Sequence, residues 1–136
     1  MKKFIINYFP IVGIYKRFFV AFLNTILPIR SSYSQHGEDK FIVETLLGYN
    51  LEGSLYIDVG ANHPSSISNT YLLYRKGYSG IIIEPNKELV RLFRIFRKRD
   101  IALMLGCSDI TAVKKLFISK TPALSTFDLN HKHYKR

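Results

Sequence analysis

Two carboxylates and one small-residue turn carry the chemical promise of this chain. Leu55-Tyr56-Ile57-Asp58-Val59-Gly60-Ala61-Asn62 reads as a buried strand that ends on an acid and breaks into a turn with little side chain. The next apolar run, Gly80-Ile81-Ile82-Ile83-Glu84, again ends on an acid. A close-approach turn, followed roughly 20 residues on by an acid that accepts hydrogen bonds from both ribose hydroxyls, is the arrangement of a nucleoside or dinucleotide site. A carboxylate suits a vicinal diol because two acceptor oxygens meet two donors. Phosphate fits less well. The fingerprint is G-x-G-x-x-G, whereas the turn reads Gly60-Ala61-Asn62-His63-Pro64-Ser65 and keeps only the first glycine. Asp58, just before the turn, would repel a pyrophosphate and attract a cationic amine. An amine, a ribose and no phosphate point to S-adenosylmethionine. A plainer alternative stays open at this point, in which Asp58 caps a helix and Glu84 is a surface acid.

These residues need a parallel sheet to hold them, and the pattern supplies one. Gly37-Glu38-Asp39 precedes a helix whose apolar positions 42, 43, 46 and 47 share a face, with acids in the first turn and Gly48 at its close. Ser68 or Asn69 is placed to cap a helix over residues 70–76, and Gly77 is its expected C′ residue. Pro85-Asn86-Lys87-Glu88 starts another helix, with Leu89, Leu92, Phe93 and Phe96 as its buried stripe and Arg91, Arg94 and Lys98 opposite. Ile101–Cys107 reads as a third strand, with Cys107 as a small buried residue, and 113–118 as a fourth extended piece, antiparallel or at an edge. Strands alternating with short helices imply an α/β fold with a parallel sheet and right-handed crossovers.

The 136 residues suffice for one domain, and 47% hydrophobic content can bury a core. Twenty Lys plus Arg against ten Asp plus Glu give +10, which suggests an anionic partner or simply a basic surface. A single cysteine permits no internal disulfide and fits a reducing compartment. Residues 1–31 carry no acid and five basic residues, Lys2, Lys3, Lys16, Arg17 and Arg30. The two apolar blocks between them are each shorter than the roughly 20 residues needed to cross a bilayer. Pro10 and Gly13 disfavour one continuous helix. This arm is expected to lie on an anionic membrane face, to pack on the body, or to bind a partner. Six of residues 87–99 are Lys or Arg, but a solvated helix face accounts for most of them, so nucleic acid is not an expected partner.

Several motifs then fall in one order: Ser34-Gln35-His36-Gly37-Glu38-Asp39, Ile57 to Pro64, Ser68-Asn69-Thr70-Tyr71, Gly80 to Asn86, and Leu124-Ser125-Thr126-Phe127. Together, over residues 33–128, they resemble the FkbM-type S-adenosylmethionine-dependent methyltransferases. The resemblance implies a class I methyltransferase fold with a Rossmann-like parallel sheet, and methyl transfer to oxygen on a sugar or glycan hydroxyl. It implies that Asp58, Gly60, Ala61 and Asn62 line the methionine part of the cofactor, that Glu84 holds the ribose, and that Ser108 and Asp109 reach the adenine. Gln35 and His36 look like a lid. His36 and His63 are candidates for taking the acceptor's proton, though a lone histidine is more often a polar contact. No metal cluster is visible, and His131-Lys132-His133 reads as a solvated tail.

The family's domain continues with further strands beyond the length seen here. The chain is therefore expected to hold a Rossmann-like sheet truncated after about the third strand, residues 33–136, behind a basic, apolar helical arm, residues 1–32. In such a sheet the Asp58 strand becomes an edge with exposed apolar surface. Independent activity of the chain is not part of the expectation. The contrasting hypothesis is a non-enzymatic fragment that binds anionic membrane or polyanion through its basic segments. Either reading places the chain in the cytoplasm, with the arm permitting a peripheral position at the inner face of the membrane.

Overall fold

The computed structural model describes residues 2–49, 51, 53–119 and 125–128, with backbone alone for residues 2–12. The elements run α1 (Lys2–Ile26), α2 (Glu38–Gly48), β1 (Leu55–Val59), α3 (Tyr71–Arg75), β2 (Ser79–Ile83), α4 (Lys87–Phe96) and β3 (Ile101–Leu103). The strands form one open, all-parallel sheet in the order β1-β2-β3, with Ile57 opposite Ile81 and Ile81 opposite Ile101. This is the expected α/β class with strand–helix–strand units.

The pleat sorts the sheet's side chains to two faces. On one face Ile82 and Ala102 pack with Ala61 and with Val90 and Phe93 of α4. Burying Phe93 fully contributes about 2–3 kcal/mol. A second cluster joins Tyr33, Val43 of α2 and Tyr71, Leu72 and Leu73 of α3. The Tyr56 ring touches both clusters. Gly80 sits opposite Tyr56 because a Cβ there would collide with the Tyr56 ring and carbonyl. Leu55, Ile57, Val59 and Ile101 point the other way and are exposed. First in the order β1-β2-β3, β1 is the edge strand with exposed apolar surface that the sequence leads one to expect.

Several local expectations are corrected. α1 runs as a single helix through Pro10 and Gly13, and its C-terminal half is fastened to the body. Ala21 and Asn24 are buried, Phe18 meets Phe96 edge-on at 5.0 Å, and Arg75 caps the last turn by donating to the carbonyls of Asn24 and Leu27. A guanidinium there opposes the negative end of the helix dipole. Among the described residues no helix is long and apolar enough to cross a membrane.

α3 begins after Thr70, not after Ser68 or Asn69, and no side chain caps it, since the Thr70 hydroxyl is donated elsewhere. Gly77 has φ 102°, as the C′ position requires. The third strand stops at Leu103, so Cys107 is exposed rather than buried. Residues 113–118 form no strand, and one antiparallel bridge joins Phe117 to Thr126. On α2, Val43 is buried while Leu47 is exposed. On α4, Leu89, Leu92 and Phe93 are buried as expected while Phe96 is half-buried, Arg91 and Arg94 face solvent, and Lys98 just past the helix is exposed. Leu124 and residues 131–133 lie outside the described residues.

Candidate functional site

The site lies where β1 and β2 end side by side. Val59 pairs with Ile83, so Asp58 and Glu84 flank the same sheet terminus. The chain leaves β1 through Gly60, at φ 72°, whose N–H still bonds to the Ile83 carbonyl at 2.8 Å. Glycine adopts that left-handed conformation without steric cost. Asn62 is also left-handed, at φ 57°, a conformation asparagine tolerates better than most residues. This kink turns its N–H onto Glu84 Oε2 at 2.9 Å.

Glu84 is buried, against the plainer reading of a surface acid. Its carboxylate accepts from the Asn62 N–H and, through Oε1, from the Asn86 N–H at 2.8 Å. Burial pushes its pKa up. The two backbone N–H groups oppose that shift, and the nearby Asp58 charge adds to it. Asp58 does not cap a helix in the backbone sense. Its Oδ2 accepts the Thr70 hydroxyl at 2.6 Å, which leaves Oδ1 without a hydrogen bond among the described residues.

The sequence marks Asn86 as part of a helix start and as the end of the Gly80 to Asn86 motif, without a role of its own. In the structure it caps α4, its Oδ1 accepting from the Glu88 N–H at 3.0 Å. Its Nδ2 is buried with no acceptor among the described residues. A buried donor without a partner costs about 1–3 kcal/mol, so it calls for an explanation at the site. Asn86 is tied to Glu84 through its own backbone N–H, so the residue that carries this amide donor and the acid that supplies acceptors are held together. A vicinal diol, whose hydroxyls both donate and accept, matches that pair. The donor set therefore fits a ribose.

Arg97 lies behind the site. It is fully buried, although its neighbours on the basic run face solvent. Its Nε meets Asp100 at 2.6 Å, and its Nη2 donates to the Tyr56 hydroxyl at 2.7 Å and to Thr70 Oγ1 at 3.0 Å. The guanidinium also lies 5.1 Å from the Phe93 ring centroid and 5.2 Å from that of Tyr74. Arg97 holds Thr70, and Thr70 in turn orients Asp58. No periodicity argument separates this arginine from Arg94 or Lys98. The one available signal is its position immediately past the helix end, where a side chain can fold back under the sheet.

His63 is buried, and both ring nitrogens are engaged. Nδ1 accepts the Ser65 and Ser66 N–H groups at 3.2 and 3.1 Å, and Nε2–H donates to the Arg17 carbonyl at 3.1 Å. The geometry makes it a pin between the turn and α1, not a proton acceptor for a substrate. Burial pushes its pKa below the usual 6.5. The native state thus takes up this proton at lower pH than the unfolded chain does. Stability is held above about pH 6.5 and falls as pH drops through that value toward the native pKa. Urea midpoints should decline along that limb, and His63→Gln should flatten it. An equal slope in the variant would refute the assignment.

His36 and Gln35 are exposed, and the His36 N–H donates to Glu38 Oε2 at 2.8 Å. Ser108 and Asp109 are exposed beyond the end of β3, and Ser108 donates to Asp109 at 3.0 Å. The structure does not draw this pair to the Asp58–Glu84 terminus by any contact. A cavity of about 410 Å³ opens beside the turn, between α1, the 30–34 loop and residues 65–67. Arg30, Ser32, Ser34 and Ser66 give it a polar wall, and its size is typical of ligand pockets. No protein-family model, curated protein or solved structure matches this chain.

Proposed function

We propose that this chain carries the S-adenosylmethionine-binding portion of a methyltransferase of FkbM type, with a sugar or glycan hydroxyl as acceptor. The observation that carries the reading is the buried Glu84 carboxylate, held by the Asn62 and Asn86 N–H groups at the end of β2, next to a glycine turn that begins just after Asp58, with the unpartnered amide donor of Asn86 on the same segment. In this reading Glu84 accepts from the ribose hydroxyls and Asn86 Nδ2 donates to one of them. Asp58 Oδ1 faces the amine, and Gly60, Ala61 and Asn62 let the backbone approach the methionine portion. Ser108 and Asp109 are the adenine contacts that the resemblance implies, and they reach the site only if the 104–109 segment folds over it.

The cofactor, when bound, supplies a methyl group on sulfonium for attack by an acceptor oxygen. The protein's share of the work is placement, because holding two reactants in line removes most of the entropic barrier. His63 is committed to the loop, so His36 is the remaining histidine candidate for the acceptor's proton. The polar wall of the 410 Å³ cavity suits a hydroxyl-rich acceptor.

Calorimetry with S-adenosylhomocysteine tests the cofactor reading. Binding is expected to the parent chain, with affinity reduced at least roughly tenfold in Glu84→Ala, because a charged acceptor contributes about 1.5–3 kcal/mol. Asn86→Ser keeps a good helix cap and removes only the Nδ2 donor. It should bind several-fold more weakly at unchanged thermal stability. A folded parent chain that binds no S-adenosylhomocysteine would sink the proposal.

A further inference from the structure

The outward side of α1 runs against the rule for a surface helix. Tyr15, Phe19, Phe22 and Ile26 follow the i, i+4, i+7, i+11 spacing of a single helical face. They are 71%, 59%, 44% and 60% exposed, whereas Ala21 and Asn24 on the opposite side are 0% and 5% exposed. The body of the protein takes the small and polar side of the helix, and the aromatic side is left uncovered. Water is a poor partner for such a face, since leaving large apolar side chains in solvent forgoes their burial.

Charge identifies the occupant. Lys16 is exposed beside Tyr15, and Arg30 is exposed just past the helix end. Residues 1–31 contain no acid, and the whole chain carries +10. A second copy of the chain would bring like charge against like charge, and the stripe has no anionic groups with which to answer it. An anionic bilayer answers both features. Phenylalanine and tyrosine rings settle at the boundary of headgroups and acyl chains, and lysine and arginine reach anionic headgroups at the same level.

We infer that the Tyr15–Ile26 face of α1 docks this protein on an anionic lipid surface, with the helix lying in the plane of the membrane. The inference rests on α1 alone and is independent of the cofactor reading. The orientation follows from the packing. His63, Asn24 and Arg75 hold the inner side of α1 to the turn, to Ser65 and to α3. The membrane therefore lies on the side of the helix away from the sheet.

Flotation of the full chain with phosphatidylcholine vesicles, with and without phosphatidylglycerol, tests the inference. Binding is expected only with the anionic lipid, and it should weaken as salt rises. Phe19→Ser/Phe22→Ser should lower the partition coefficient on the order of tenfold with an unchanged far-UV spectrum, because both rings are exposed in the free protein. The chain has no tryptophan, so Phe22→Trp provides a probe on a silent background. Its emission should shift to the blue on adding anionic vesicles. Failure of the folded parent chain to float, or equal flotation of the double variant, overturns the inference. So does a blue shift in the Phe22→Trp variant that grows with protein concentration in the absence of lipid, since a second copy would then cover the face.

Discussion

Arg97→Met destabilises the chain by about 4 kcal/mol, a large fraction of the stability of any small domain. The side chain is fully buried, and so is its partner carboxylate, Asp100. Methionine fills much of the volume but leaves Asp100 as a buried charge without its counter-ion. The Asp100 carboxylate would retain the Tyr56 hydroxyl at 2.7 Å and the Gly80 N–H at 3.0 Å. Those two bonds cannot replace a guanidinium at 2.6 Å, which is why truncating one member of a buried pair costs more than the pair itself contributes.

Arg97→Lys should recover only part of the loss. One ammonium cannot reach Asp100, Tyr56, Thr70 and the Pro64 carbonyl together, as the planar fork does. Urea unfolding of the two variants measures this, and a loss under about 1 kcal/mol for Arg97→Met would contradict the account. Because Thr70 loses a donor in the same variant, S-adenosylhomocysteine affinity should fall alongside stability if Asp58 holds the amine.

Asp39→Ala costs about 3 kcal/mol by the same logic applied to an anion. Asp39 is fully buried at the start of α2. Its oxygens accept the Ser32 hydroxyl at 2.6 Å, the Tyr33 N–H at 2.6 Å, the Ser34 hydroxyl at 2.8 Å and the Lys40 N–H at 3.0 Å. Alanine leaves the buried Tyr33 N–H without its acceptor, removes the carboxylate that gathers the half-buried Ser32 and Ser34 hydroxyls, and frees the loop that walls the cavity. Burial pushes the Asp39 carboxyl pKa up, but the bonds from Ser32, Tyr33 and Ser34 outweigh it and hold the pKa below the usual 3.8. The native state therefore releases this proton more readily than the unfolded chain. The stabilisation is complete above about pH 4 and is lost as pH falls through the native pKa. Chemical denaturation at neutral pH and at about pH 3 should show the gap between parent and variant narrowing in acid. A gap that does not change with pH would place the cost in packing instead of charge.

The sheet and its helices were legible because period is a local property. The Leu89–Phe93 stripe, the Ile81–Ile83 run and the turn glycines each announce themselves within a few residues. The carboxylates at the two strand ends were legible for the same reason, since a strand's terminus can be read from where its apolar run stops. What could not be read were the assignments that depend on a partner distant in sequence. Arg97 sits in a run of cations, and only Asp100, Tyr56 and Thr70 make it a buried hub. His63 offered itself as a base until the Arg17 carbonyl and two loop N–H groups occupied both nitrogens. Pro10 and Gly13 weigh against a helix on propensity alone, by about 3 and 1 kcal/mol, yet α1 is continuous through both. The apolar run through Cys107 looked like a strand, but β2 offers partners only as far as Leu103.

The strand order β1-β2-β3 is also the order in which the ribosome releases the strands. Each strand pairs with the one made just before it, and each crossover helix is complete before its second strand arrives. No strand has to be threaded between two already in place. Loop-closure entropy is therefore met in small instalments, the regime in which folding is fast. α1 is synthesised before the sheet but finds its anchors, Ser65, His63 and Arg75, only after β1 and α3 have emerged. The helix made ahead of the sheet is thus fixed only after part of the sheet exists, and its aromatic face is available to a membrane in the meantime.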